Sequence, residues 1–160
     1  MTLFRIPNPK ISHHFAIIQF MIIRPAKEIE MGTVRELAEQ FNLDSEEMPV
    51  SEFIVAEDKG SIVGFVRLKD NRTCFELTSL GVVTSNRNLG IGKKLVEAVA
   101  KKQPDNLYLA TIIPDFFTKL GFKTVKESTE CMKKEPAWCE GCPAPERCVI
   151  MKYDPAISEF

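Results

Sequence analysis

A chain of 160 residues is long enough for one domain whose core needs no covalent staples. Its apolar content of 44% is that of an ordinary globular protein, and a formal net charge of −1 gives no electrostatic ground for a nucleic-acid or membrane partner. The longest apolar run, residues 15–23 (FAIIQFMII), is interrupted by Gln19, ends at Arg24 and is too short to span a bilayer. No small-residue cleavage site follows it, so a cytoplasmic protein is expected.

Residues 1–14 contain two prolines and show no periodicity, so residues 1–20 are read as an extension outside the core. His13 and His14, the only histidines, are read as solvated side chains rather than metal ligands. Residues 28–41 place Met31, Val34, Leu37, Ala38 and Phe41 at helical spacing, and a polar, acidic connection runs from 42 to 49. Residues 52–57 and 61–69 read as a hairpin about Asp58-Lys59-Gly60. A turn at Asp70-Asn71-Arg72 leads to a third strand, 73–83. Residues 93–102 put Leu95, Val96 and Val99 on one helical face. Residues 106–111 read as a buried parallel strand, and 114–120 as a short amphipathic helix ended by Gly121 in a left-handed cap. Strands at 122–126 and 148–153 close the order β-α-β-β-β-α-β-α-β-β, which predicts an α/β fold built on a mixed sheet.

Residues 80–94 (LGVVTSNRNLGIGKK) carry the most chemical information. Strand residues lead into a turn, and the turn into a helix whose first N–H groups have no intrahelical partner. With the helix dipole these form an anion site suited to phosphate. Gly90 and Gly92 let a bulky ligand approach the backbone. A Rossmann fingerprint needs a third glycine where Leu95 stands, and a Walker A loop needs glycine at Arg87 and Ser or Thr at Lys94. What remains is Arg-x-x-Gly-x-Gly after a strand, or else a plain glycine turn.

That hexapeptide resembles the pyrophosphate motif of the GNAT acetyltransferase superfamily, Gln/Arg-x-x-Gly-x-Gly/Ala. Residues 116–122, Phe-Phe-Thr-Lys-Leu-Gly-Phe, resemble a second GNAT segment, Phe-Tyr-x-Lys-x-Gly-Phe, in the right order and at a fitting gap. The similarity covers roughly residues 21–127, Met21 opening a segment like the first strand and helix of such a domain. It implies a GNAT-like domain over residues 21–160, a twisted sheet of about six or seven strands flanked by helices. Translation beginning naturally at Met21 fits that boundary.

The resemblance also implies function: acetyl-CoA as cosubstrate, a primary amine as acceptor, and often a homodimer. Pantetheine would lie between splayed strands 79–83 and 106–111, paired to main-chain groups of Leu80, Gly81 and Val82. The amides of Arg87, Asn88, Leu89, Gly90, Ile91, Gly92 and Lys93 would hold the pyrophosphate. The Arg87 side chain either adds its charge there or sits in solvent. Lys93 and Lys94 either approach the 3′-phosphate or are surface lysines. Helix 28–41 and the loop after it would line the acceptor site.

Glu76 is the candidate base, the alternative being a solvent-facing strand residue; by simple alternation Thr78 and Leu80 share its face. Phe117 stands where many relatives carry the tyrosine that protonates the leaving thiolate, and Tyr108 is a substitute only if it is not core. The segments 107–122 and 138–153 are similar to those of short GNAT proteins described as N-acetylglutamate synthase-like. An anionic acceptor would draw on Arg67, Lys69, Arg72 or Lys119. Protein lysine or N-terminal acetylation, and a non-catalytic module sensing acetyl-CoA or metal, are the rival readings.

Cys131, Cys139, Cys142 and Cys148 cluster late in the chain, and Cys74 stands apart. Four thiolates suit zinc, but only one pair has knuckle spacing; disulfides and reduced thiols are the other readings.

Overall fold

The computed structural model describes residues 21–126, 130–132 and 139–160. The expected extension at 1–20, with His13 and His14, lies outside them. The described strands form one seven-stranded sheet: β1 (Met21–Pro25), β2 (Phe53–Asp58), β3 (Ser61–Asp70), β4 (Phe75–Val82), β5 (Leu107–Thr111), β6 (Phe122–Thr124) and β7 (Val149–Tyr153). The spatial order is β1-β2-β3-β4-β5-β7-β6. Every neighbouring pair is antiparallel except β4–β5. The helices are α1 (Met31–Gln40), α2 (Ile91–Lys102) and α3 (Pro114–Thr118). The element order is the one expected from the sequence, its first strand from the resemblance and the rest from periodicity.

Each helix covers the sheet face its sequence dictates. Leu95, Val96 and Val99 of α2 are fully buried against Val66, Leu68, Leu77, Leu107 and Leu109, and Phe117 of α3 closes this core. Val34 and Ala38 of α1 pack on Phe53, Val55 and Phe65 from the other face. The β2–β3 hairpin turns where expected: Lys59 (φ 50°) and Gly60 (φ 81°) both take positive φ, the twist a two-residue hairpin needs.

Boundaries move for local reasons. The helix expected over 28–41 splits into a 3₁₀ turn, Glu28–Glu30, and α1, and the Glu30 carboxylate accepts the Lys27 N–H at 2.8 Å at the start of that turn. Helix α2 starts at Ile91 rather than residue 93, since Gly90 at φ 80° is already its N-cap. Gly121 takes φ 90°, as a left-handed cap requires.

Arg67 is not a free cation. The residue is only 3% exposed. Nε donates to Glu52 Oε2 at 2.7 Å and Nη2 to the Glu47 carbonyl at 2.7 Å; Asp44 lies 3.6 Å away and the Phe53 ring centroid 5.6 Å. A buried charge has to be paired, and this one pins the acidic 42–52 loop to the sheet.

The four-thiolate zinc set is likewise overturned. Cys131 is disulfide-bonded to Cys74, their Cα atoms 6.0 Å apart. The sheet brings them together: Cys74, at the mouth of β4, is buried with Tyr108, Met132 and Ile150. Among the described residues no group of His, Cys, Asp or Glu could hold a metal ion, so Cys131, Cys139, Cys142 and Cys148 do not form one.

Two outcomes follow. Arg67→Met should lower unfolding free energy by about 3 kcal/mol, because it strands the Glu52 carboxylate; a loss under about 1 kcal/mol in urea titration would refute the clamp. Glu30, which accepts hydrogen bonds from Arg24, is held at about 2 against a usual 4.5. Its folded-state value is depressed, so its stabilisation is present above the unfolded value and lost as pH falls through the folded one. Stability should therefore fall between pH 4.5 and about 2, and Glu30→Gln should flatten that limb.

Candidate active site

The site begins where two strands separate. β4 and β5 pair only at Phe75↔Leu107 and Glu76↔Tyr108; beyond that β5 continues its pairing with β7 alone. The edge of β4 toward β5 is thus without a strand from Leu77 onward. The cause lies on the other edge of β4. Phe65 pairs with Gly81 and Arg67 with Thr78, so Val66 alone faces two residues, Ser79 and Leu80. Such a bulge bends its strand and adds twist. Ser79 sits in it at φ 51°.

The bulge also corrects the expected alternation. Glu76 pairs with Lys69 and Thr78 with Arg67, on one face. Leu80 instead packs into the core under α2, on the other.

Below the split lies a cleft of about 410 Å³. Leu80, Gly81, Val82, Arg87, Asn88, Gly90, Ile91, Gly92 and Lys93 line it, all of them singled out in the sequence. Leu89 does not; it packs against the α2 core. The first backbone bond of α2 runs from the Lys94 N–H to the Gly90 carbonyl at 3.1 Å, and no side chain caps this end. The amides of Ile91, Gly92 and Lys93 are therefore available to an anion. The glycines differ in purpose. Gly90 needs its positive φ, and a Cβ there would meet nothing within 4 Å. A Cβ at Gly92 would meet only Phe116, at 3.5 Å. A Cβ at Gly81 would come within 2.8 Å of Phe65 and 3.0 Å of Phe41, so this glycine lets two aromatic rings close over β4.

Arg87 is exposed, as one of its two readings expects, and it is also held in place at the cleft wall. Its Nε donates to the Val82 carbonyl at 2.9 Å and its guanidinium lies 5.2 Å from the centroid of Phe41, bracing the turn against β4 and the end of α1. Lys93 and Lys94 are exposed. Phe41 and Leu43 also line the cleft, from the helix and loop that the resemblance placed beside the acceptor; Asn86 and Ile113, which line it too, were missed in the sequence. Phe41 falls on the helical apolar stripe, where nothing separates a core residue from a cleft wall.

Glu76 is half-buried and outside the cleft wall; Oε2 accepts from Asn71 Nδ2 at 3.0 Å. It stands at the last rung before the strands part, level with Tyr108. Tyr108 is core, packed with Cys74, Met132 and Ile150, with Lys152 Nζ 5.5 Å from its ring. Phe117 is buried edge-on between Phe116 and Phe122 and brings no hydroxyl. Of the cations proposed for an anionic acceptor, Arg67 is consumed by the loop, Lys69 is half-buried opposite Glu76, and Arg72 and Lys119 are exposed.

A strand edge that offers peptide groups, leading to a helix end that offers amides, is a receptacle for an extended molecule with an amide-bearing arm and phosphates. Residues 49–124 match the acetyltransferase (GNAT) domain family. A curated relative, an uncharacterised N-acetyltransferase of Chlorobaculum tepidum, is 27% identical over 106 residues, which span 62% of this chain and 66% of that protein. The fold is shared with a Mycobacterium tuberculosis protein solved in complex with CoA (TM-score 0.62, 18% identity, 81% of this chain and 96% of that one). It is shared also with the N-acetylglutamate synthase of Neisseria gonorrhoeae solved with coenzyme A and N-acetyl-glutamate (TM-score 0.60, 20% identity, 82% of this chain but only 34% of the synthase chain). The bulged and parted central strand and the Arg-x-x-Gly-x-Gly turn at its end both lie within the residues that match the acetyltransferase (GNAT) domain family.

Proposed function

We propose that this protein transfers the acetyl group of acetyl-CoA to the α-amine of a small amino acid, glutamate being the first to test. The observation that carries the transfer is the convergence of the unpaired β4 edge and the uncapped start of α2 on one cleft. Leu80, Gly81 and Val82 would pair with the pantetheine arm, and the amides of the 87–93 turn would hold the pyrophosphate. Gly90 supports the fit, since the space where its side chain would stand is open. Bound acetyl-CoA supplies an activated thioester. The residues around it would align an amine, exclude water from the parted strands and present a backbone N–H of the bulge to the carbonyl.

The amine has to reach the site neutral. An α-amine is roughly a tenth neutral at pH 7, whereas a lysine side chain is neutral at about one part in a few thousand. Glu76 would take the proton, directly or through water, with Asn71 holding its carboxylate in place. Lys69, paired with Glu76 across β3, is the cation best placed for an acceptor carboxylate. One observation favours a second reading. The loop after Leu43 exposes Asp44, Glu46 and Glu47, which would suit a cationic acceptor such as a polyamine or a basic peptide.

Release of free CoA from acetyl-CoA, measured against glutamate, other amino acids, polyamines and short peptides, separates these. Saturation by glutamate and loss of that response in Lys69→Met support the amino-acid reading; response only to polyamines or peptides replaces it. Glu76→Gln should lower turnover about a hundredfold and leave acetyl-CoA affinity unchanged, with the acidic limb of the pH–rate profile gone; an unaltered profile would sink the base assignment. Gly90→Ala should cost about 1 kcal/mol of stability and weaken CoA binding, whereas Gly92→Ala, inside the first helical turn, should keep both. Calorimetry with CoA reads the difference, and equal losses would refute it.

A further inference from the structure

Ser79 breaks two rules at once. It holds φ 51° without being glycine, and its hydroxyl, on a residue only 6% exposed, has no hydrogen-bond partner among the described residues. Left-handed backbone is uncommon for a residue with a Cβ, and a buried hydroxyl without a partner is unfavourable. Glycine would remove both penalties. Two irregularities on one side chain point to a ligand rather than to the fold.

Its position says which part of a ligand. Ser79 shares the bulge with Leu80, opposite Val66. It follows the last paired rung of β4 and β5 at Glu76 and immediately precedes the cleft-lining run Leu80–Val82. The pyrophosphate end of the cleft, at Gly90–Lys93, lies farther along the chain, so the bulge marks the reacting end. Hydroxyls are scarce there. The cleft aromatics Phe41 and Phe116 have none, Phe117 is core, and Tyr108 is committed to the small core with Met132 and Ile150.

We propose that Ser79 is a catalytic residue whose Oγ–H donates a hydrogen bond to the thioester sulfur of acetyl-CoA and to the thiolate it becomes. This rests on the acetyl-CoA reading. As the amine nitrogen bonds to the carbonyl carbon, the C–S bond breaks and its electron pair goes to sulfur. The amine proton leaves toward Glu76 or water, and Ser79 keeps its own. The hydrogen bond strengthens as charge builds on sulfur, which is when it accelerates the reaction.

The test needs no acceptor. Free CoA is bound to the wild type, Ser79→Ala and Ser79→Gly, and thiolate absorbance is followed against pH relative to protein alone. A hydrogen bond to the thiolate should make the bound thiol about one pH unit more acidic in the wild type than in both variants. The ligand-free melting temperature of Ser79→Gly should hold or rise. Equal thiol titrations in all three proteins, with CoA bound, would overturn the role of Ser79 and leave the acetyl-CoA reading standing. A melting temperature that falls in Ser79→Gly would make the residue structural. A wild type that does not bind CoA would remove the acetyl-CoA reading itself, and this assignment with it.

Discussion

The central strand of this sheet surrenders half its ladder. β4 is paired along β3 but holds β5 through two rungs only, so the interior of a seven-stranded sheet contains an open edge. Backbone groups in such a place have to be satisfied by something. The bulge at Ser79 and Leu80 turns β4 away, and β5 is retained by β7 on its other side. The cleft, the start of α2 at its far end and Glu76 at its closed end are arranged around the resulting gap. Parallel strands open toward their carboxyl ends, where ligands of α/β proteins enter.

The rest of the chain keeps that gap from collapsing. Phe65 and Phe41 close over Gly81, and Arg87 ties the Val82 carbonyl to Phe41, so the glycine turn and the end of α1 are braced through one aromatic ring. Arg67, one strand away, pins the loop that continues from α1. The Cys74–Cys131 disulfide fastens the start of β4 to the later chain beside Tyr108. Each brace lies next to the parted strands.

Most of the architecture was legible in the sequence because periodicity is a local property. Leu95, Val96 and Val99, the Lys59-Gly60 turn and the Gly121 cap follow from spacing and backbone preference, and they stand where expected. The glycine turn before α2 was legible for the same reason: it is a run of a few consecutive residues. Pairing was not legible. The thiolate cluster of Cys131, Cys139, Cys142 and Cys148 looked self-contained, yet Cys131 bonds to a cysteine on another element. Arg67 looked like a candidate for substrate, yet its charge is taken up by Glu52 and the Glu47 carbonyl, which only folding brings to it.

By itself, then, the sequence determined the order of strands and helices, the apolar faces and the glycine turn, all set by neighbours within a few residues. Only the tertiary structure decided that β4 carries a bulge, and with it that Glu76 and Leu80 face opposite sides of the sheet. Strict alternation places them on one side. A bulge arises from the mismatch of two strands in register, and that mismatch is written in neither strand alone.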